Sequence, residues 1–248
     1  VYNGFVMPEK TSLIIIRDET LRDGIQTRGI NLTRKEKLAV AKISAQILGN
    51  GRNNGTNNQI DLGMPEISNF QLKTIKLMVK ELKPYNIDFF VTGTSTEKAL
   101  DVMAESLKGA EEGKKIIAPF LGISYLHRKK LGLTKLQTLK KAIEMVELAK
   151  TYCSRINFPL EGGYYAYLEE PKFVINLLKE LEELGVECVP FCDTVGTALP
   201  FSGKRVVSYG QAIKEIKNQV PSLGISTHCH NDYGLAVANT IEGILVGG

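Results

Sequence analysis

The chain has 248 residues, of which 43% are hydrophobic and 23% are charged, so it is long enough to bury the core of one α/β domain. Its 31 basic and 27 acidic residues leave a net charge of +4, a mild bias that does not indicate nucleic-acid binding. The sequence has neither an apolar run of membrane-spanning length nor a signal-peptide pattern at its start. We therefore expect a cytoplasmic protein without membrane or nucleic-acid partners, and its four cysteines, which lack CxxC spacing, are expected to be reduced thiols.

Seven short apolar runs alternate with amphipathic segments, and this pattern predicts βα units that build a parallel sheet. The predicted strands are 13–17, 59–62, 87–92, 115–123, 155–160, 186–191 and 223–228. The predicted helices are 34–48, 68–82, 96–112, 134–152, 171–184, 206–220 and 235–246. Polar residues that could take part in catalysis or binding come just after the strands. This placement favours a (β/α)8 TIM barrel. The rival, an open doubly wound sheet, would be expected to carry a GxGxxG after its first strand, and none is present.

Two features complicate this simple pattern. A barrel closes with eight strands, and the eighth is missing from residues 1–248, so the chain is expected to form one catalytic barrel domain whose last strand lies beyond Gly248. Residues 49–58 are a run of Gly, Asn, Arg and Thr between a helix and the second strand. That run predicts a surface loop without chemistry.

The strongest local signal for chemistry is the sequence His228-Cys229-His230 at the end of the seventh predicted strand. Residues i and i+2 of a strand project to one side, so the two imidazoles could hold one metal ion; alternatively they are ordinary polar residues at a strand end. Asp23 follows the first strand and could add a carboxylate, with the positive charge of Arg22 beside it, although such a pair can also be a plain salt bridge. Two imidazoles and one carboxylate suit a substrate-binding Mg²⁺, Mn²⁺ or Zn²⁺ better than a closed structural site.

These residues lie within two motifs that resemble the signatures of one enzyme family. LRDGIQ at 21–26, with Lys37 following, resembles the first signature of the isopropylmalate and homocitrate synthases. ISTHCHNDYGLAVANT at 225–240 resembles the second, and 123–132 and 192–200 resemble the same family in order. The resemblance covers the chain from Leu13 onward and extends to the metal-dependent TIM-barrel superfamily that includes hydroxymethylglutaryl-CoA lyase, the DRE-TIM metallolyases.

The resemblance implies a role for each matching residue. It implies that Asp23, His228 and His230 bind a divalent metal, with a fourth ligand, an Asn, beyond Gly248. It also implies that Arg22 stabilises the enolate or alkoxide oxygen and that Thr194 holds the substrate carboxylate.

Three further positions keep two interpretations each. The family usually has a Glu at position 61, and Asp61 is one methylene shorter, so it either reaches Arg22 or caps the following turn. Glu161 either lines the substrate pocket or meets solvent. His127 either orients substrate and relays a proton or is merely exposed.

The activity that the resemblance implies is a Claisen-type condensation of acetyl-CoA, as co-substrate, with a 2-oxo acid, in amino-acid biosynthesis and carboxylic acid metabolism. It also implies a homodimer. The alternatives are an acyl-CoA lyase of the hydroxymethylglutaryl-CoA lyase type, and a non-catalytic relic of the barrel. Tyr164, Tyr165 and Tyr167 are expected in a loop after the fifth strand, either lining the pocket for the oxo-acid side chain or packing at the surface or against a partner.

Overall fold

A computed structural model describes residues 14–49, 57–204 and 206–248, and within these ranges seven parallel strands pair in chain order from β1 to β7. The strands are β1 Arg17–Asp18, β2 Gln59–Asp61, β3 Asp88–Thr94, β4 Lys115–Gly122, β5 Leu160–Glu161, β6 Cys188–Asp193 and β7 Gly224–Cys229. The order never reverses, as it would in a doubly wound sheet. The predicted α/β fold of the TIM-barrel type is therefore confirmed, and no eighth strand occurs in the described ranges.

Helices connect the successive strands and cover the outside of the sheet. Nine α-helices lie in the described ranges: α1 Arg34–Gly49, α2 Asn69–Glu81, α3 Glu97–Ser106, α4 Tyr125–Leu131, α5 Lys135–Lys150, α6 Gly163–Glu169, α7 Pro171–Glu183, α8 Tyr209–Gln219 and α9 Ala236–Leu245. Their starts follow local chemistry, because the hydroxyls of Ser68, Thr96 and Ser124 accept the backbone N–H of the third residue that follows each of them.

The sheet curls far enough for its two edge strands to meet inside the molecule. Arg17 of β1 donates from Nη2 to Ser226 Oγ of β7 at 3.4 Å. Both the first and the last strand therefore contribute side chains to the same interior space. The C-terminal strand ends, where polar residues were expected, gather around that space.

Two large apolar clusters hold the helices against the sheet. One packs the first half of the barrel around Leu62, Ile75 and Phe89, and the other packs the second half around Leu177 and Phe191. Each of these five side chains is almost completely buried. Burial of one such side chain stabilises the fold by about 1.5–3 kcal/mol, so the two clusters fix the sheet on which the loops are carried.

Several predicted boundaries were wrong for identifiable reasons. The fifth strand was expected from residue 155, but regular pairing begins only at Leu160, because Pro159 has no N–H to give to the ladder. The expected tyrosine loop is helix α6, in which Tyr164 and Tyr167 are buried in the core rather than placed at the surface. Helix α3 ends at Ser106, earlier than expected, and the chain turns soon afterwards at Gly109, whose φ is +93°.

The polar run between α1 and β2 is described only at its ends. Residues 50–56 lie outside the described ranges, as does Leu13 of the first predicted strand. Asn58 is buried; its side chain donates to Leu48 O and accepts from Ile16 N, both at 3.0 Å. Asn58 therefore links the start of β1 to the end of α1 by hydrogen bonds.

Two further expectations concern the chain as a whole. None of the helices in the described ranges is both long and apolar enough to span a membrane. The four cysteines are free thiols, as expected, with Cys153 and Cys192 buried.

Candidate metal centre and active site

Asp23, His228 and His230 converge where the two edge strands of the sheet meet. One ligand atom from each of them lies within 4.8 Å of the other two. His230 Nε2 is 3.9 Å from Asp23 Oδ2, and the two imidazole centroids are 5.4 Å apart. The alternation of a strand places both histidines on its interior side, and the curl of the sheet brings Asp23 to them.

The chemistry of this donor set fits a divalent ion with open coordination positions. Two imidazoles and a carboxylate are ligands that Mn²⁺ and Zn²⁺ accept, and Mg²⁺ accepts the oxygen donor. Burial lowers the pKa of His228 to about 4, and the carboxylate of Glu19 only partly offsets this effect. His228 is therefore a neutral imidazole near pH 7, which is the form that binds a metal.

Arg22 lies against this group of three. Its Nη1 is 3.2 Å from Asp23 Oδ1, and its Nη2 is 3.5 Å from His228 Nε2. The side chain is 19% exposed, so its guanidinium faces the interior space. A permanent positive charge next to the candidate metal site is placed to stabilise an oxyanion formed there.

Asp61 makes both of the contacts that the sequence left as alternatives. Its Oδ2 lies 3.6 Å from Arg22 Nε, so the shorter side chain does reach the arginine. Its Oδ1 accepts the N–H of Gly63 at 2.8 Å, which caps the turn, and Thr92 Oγ1 donates to Oδ2 at 2.6 Å. Complete burial, and then the negative charge of Glu19, raise the pKa of Asp61 well above its usual range.

Glu19 is the carboxylate closest to Arg22 Nε, and sequence reasoning missed it. Its Oε2 lies 3.1 Å from that atom, and its Oε1 lies 2.8 Å from Arg17 Nε. Burial alone would raise the pKa of Glu19, but the two arginines outweigh it and lower the pKa to about 2. Charges of alternating sign at 17, 19 and 22 were the available signal, and they look like any local salt-bridge pattern.

His127 lies in a polar array behind Glu161. Ser124 Oγ is 2.7 Å from His127 Nδ1, and His127 Nε2 is 3.5 Å from Glu161 Oε1. Two glycines make room for the ring, because a Cβ on Gly122 or Gly162 would lie 2.8 Å from a His127 atom. The imidazole is therefore held in one place, with Nε2 directed at Glu161. Ser124 is a second member of the site that sequence reasoning missed, since it looks like an ordinary helix cap.

Thr194 connects this array to β6. It follows Asp193, and its Oγ1 accepts the N–H of Gly162 at 2.7 Å. That contact leaves the hydroxyl proton of Thr194 free to be donated to another group. Gly162, whose φ is +67°, requires a residue without a side chain both for its conformation and for the space occupied by His127.

A cavity of about 200 Å³ joins these groups. Six of the eight predicted site residues line it: Arg22, Asp23, Glu161, Thr194, His228 and His230. Asp61 and His127 do not line it; they stand behind Arg22 and Glu161 respectively. Much of the remaining wall is apolar and is formed by Met64, Phe90, Phe120, Pro159 and Pro190. Cys192 of β6 also lines the cavity.

A curled parallel sheet with helices outside, whose C-terminal strand ends gather acidic, basic and imidazole side chains around one cavity, defines the class as a TIM-barrel α/β protein. The family model described as HMGL-like matches residues 13–248, so the chain belongs to the HMGL-like family.

Curated relatives agree with this membership. The chain is 33% identical over 235 residues to a 2-isopropylmalate synthase 1 of Caldanaerobacter subterraneus subsp. tengcongensis; the match covers 93% of this chain and 54% of that protein. It is 34% identical over 235 residues to a 2-isopropylmalate synthase of Ruminiclostridium cellulolyticum; here the match covers 93% of this chain and 42% of that one. The chain spans about half the length of the curated relatives it matches.

A solved structure shares the fold. The carboxyl transferase domain of pyruvate carboxylase from Rhizobium etli, determined with pyruvate and biocytin, superposes with a TM-score of 0.61 at 15% identity. The superposition covers 94% of this chain and 38% of that one. At this level of identity the comparison supports the fold alone.

Proposed function

We propose that this chain carries the catalytic site of a divalent-metal-dependent enzyme that condenses acetyl-CoA with a 2-oxo acid. The observation that carries the proposal is the convergence of Asp23, His228 and His230 beside Arg22 at one end of a closed-in cavity. Relatives that bear the name 2-isopropylmalate synthase support this direction of the reaction. The identity of the site residues, the single catalytic domain over 1–248, the homodimer and the cytoplasmic location stay predictions.

The candidate ligands define one end of the proposed active site. A Mg²⁺, Mn²⁺ or Zn²⁺ ion held by Asp23, His228 and His230 would polarise the keto group of the 2-oxo acid. Arg22 would stabilise the negative charge that develops on the keto oxygen, and its contacts to Glu19 and Asp61 hold the guanidinium in place for this role.

The other end of the cavity supplies groups for binding and proton transfer. Thr194 has a free hydroxyl proton that would be donated to the substrate carboxylate. Glu161 lines the cavity and would accept a proton from the methyl group of acetyl-CoA. The methyl carbon would then attack the keto carbon, whose C=O π bond would become an alkoxide that takes up a proton. Water would hydrolyse the thioester to a carboxylate and release CoA as a free thiol. His127 would orient Glu161 from behind.

The test is release of free CoA thiol by the full-length protein, given acetyl-CoA, a divalent metal and each of several 2-oxo acids in turn. Asp23→Asn serves as the inactive variant. Asp18→Asn is its matched control, because it removes the same charge from a residue outside the cavity lining. We expect thiol release that requires one oxo acid, persists in Asp18→Asn and disappears in Asp23→Asn.

The alternatives give different results in the same assay. Thiol release equal in both variants would reject the proposed metal group. Silence across the panel from metal-loaded protein would reject the condensation in favour of an acyl-CoA lyase or a non-catalytic barrel. Cleavage of 3-hydroxy-3-methylglutaryl-CoA by the same protein would then identify the lyase.

A further inference from the structure

The cavity contains two permanently charged cations among its described lining residues, Arg17 and Arg22. Both belong to the segment around β1, and both project into the barrel interior, with side chains 10% and 19% exposed. A substrate with a second carboxylate would need one of them as a partner, because desolvation of an unpaired carboxylate is unfavourable. Whether these two arginines are already paired with protein carboxylates therefore determines which substrate side chains the cavity accepts.

Glu19 lies between the two arginines and pairs with both. Its Oε1 is 2.8 Å from Arg17 Nε, and its Oε2 is 3.1 Å from Arg22 Nε. Glu19 itself lines the cavity, and its side chain is 21% exposed. Each oxygen of the Glu19 carboxylate thus pairs with a different arginine.

The terminal nitrogen atoms of the two arginines have partners as well. Arg17 donates from Nη1 to Gln59 Oε1 and from Nη2 to Ser226 Oγ, both at 3.4 Å, and its guanidinium lies 4.1 Å from the ring centroid of Phe90. Arg22 turns its Nη1 to Asp23. The positive charge of each arginine is therefore already paired with a carboxylate of the protein.

We propose that Glu19 is a specificity-determining residue: by pairing with both cavity arginines it excludes a second carboxylate and restricts the site to 2-oxo acids with an uncharged tail. This inference rests on the proposed function for the 2-oxo acid itself. A 2-oxo acid with a second carboxylate is excluded for two reasons. Its negative charge is repelled by Glu19, and it finds no unpaired cation among the described lining residues of the cavity. The apolar wall formed by Met64, Phe120 and Pro190 suits an uncharged tail.

An isosteric pair of ligands isolates the charge of the tail. The acids 2-oxoglutarate and 5-methyl-2-oxohexanoate differ in that two methyl groups replace the two oxygens of the distal carboxylate. Binding of each acid to the full-length protein with Mg²⁺, in the absence of acetyl-CoA, is measured by isothermal titration calorimetry. We expect the wild-type protein to bind the apolar acid at least about tenfold more tightly.

The variant Glu19→Gln keeps the shape of the side chain but removes its negative charge, and its amide NH2 cannot accept the hydrogen bond from one of the two arginines. We expect it to shift the binding ratio toward 2-oxoglutarate by at least about tenfold. Asp18→Asn, the neighbouring charge removal outside the cavity lining, leaves the ratio unchanged. The double variant Arg17→Gln/Glu19→Gln loses the gain, because the released cation is then absent.

Each result decides the matter. An unchanged ratio in a Glu19→Gln protein whose thermal midpoint is intact overturns the proposal. If that variant does not fold, the wild-type ratio decides: equal or tighter binding of 2-oxoglutarate overturns it. Binding of the apolar acid without thiol release in the acetyl-CoA assay rejects the condensation but keeps this inference, whereas failure to bind either acid rejects both.

Discussion

The candidate site is built from two groups of residues that differ in kind. The edge group, at β1 and β7, is densely charged, and the centre group, at β4 to β6, is held by hydrogen bonds and close packing. The edge group consists of Glu19, Arg22, Asp23, His228 and His230; the centre group consists of Ser124, His127, Glu161 and Thr194. Contacts of the edge group join residues 206 positions apart, and those of the centre group span at most 34.

This difference separates two ways of making a precise site. In the edge group, charges are brought together by the curl of the whole sheet, and each charge depends on its neighbours. In the centre group, adjacent strand ends and a helix cap position one imidazole, and two glycines leave it no alternative place. We therefore expect substitutions in the edge group to have the larger effects.

The largest effect is expected for His228→Gln. If His228 is a metal ligand as proposed, its loss is expected to lower the affinity for Mn²⁺ by more than the roughly hundredfold that loss of an outer-sphere partner can cost. The measurement is Mn²⁺ binding by isothermal titration calorimetry. His127→Gln, the matched change in the centre group, leaves Mn²⁺ affinity unchanged; equal losses in the two variants would contradict the division into two groups.

Arg22→Lys keeps the positive charge and tests the planar guanidinium that we propose to lie beside the keto oxygen. Lysine cannot reproduce the planar fork of arginine, so we expect kcat to fall by about 10²–10³. Steady-state CoA release measures this. Arg155→Lys is the control: Arg155 pairs with Asp88 and Glu187 and does not line the cavity, so its loss lowers the thermal midpoint but not kcat.

Ser124→Ala tests the centre group. Removing the hydroxyl frees His127 Nδ1, and because one hydrogen bond contributes about 0.5–1.5 kcal/mol, we expect kcat to fall by up to about tenfold. Ser68→Ala removes an equivalent cap, from α2, and serves as the control. The two variants lose a similar stability of about 1 kcal/mol, but only the first loses activity. Equal kcat values in both would show that Ser124 is a cap and nothing more.

The smallest effect is expected at Cys192, which lines the cavity between the two groups. Burial raises the pKa of this thiol to about 12, so it stays protonated and unreactive near pH 8. We expect Cys192→Ala to change kcat/KM by less than about tenfold, or below about 1.4 kcal/mol. Mass spectrometry is expected to show alkylation of Cys192 by iodoacetamide only after unfolding, and rapid modification of the native protein at pH 8 would contradict the protonated state.

The edge group shows how far sequence reasoning reached. The alternation of apolar runs predicted the parallel sheet and its order, and the i, i+2 spacing of His228 and His230 predicted that both face inward. Convergence with Asp23 followed from the barrel hypothesis. Glu19 was missed because its significance depends on two arginines meeting it in space, and Asp61 was ambiguous because one methylene decided its reach.

The centre group shows where local patterns mislead. Helix α4 was not expected, since seven residues are too few for a clear apolar period. The tyrosines of α6 were expected in a loop after the fifth strand, but Tyr164 and Tyr167 supply apolar surface that the core buries. Tertiary packing decided the second case.

The bond between Arg17 and Ser226 has a consequence for how the protein folds. These two residues are 209 positions apart, so the contact closes a loop that includes most of the chain. Long-range contacts of this kind are slow to form, and during synthesis the first strand emerges well before the seventh. The nascent chain therefore holds Arg17, Glu19 and Arg22 before β7 has been made, and the edge group can assemble only after β7 has been synthesised.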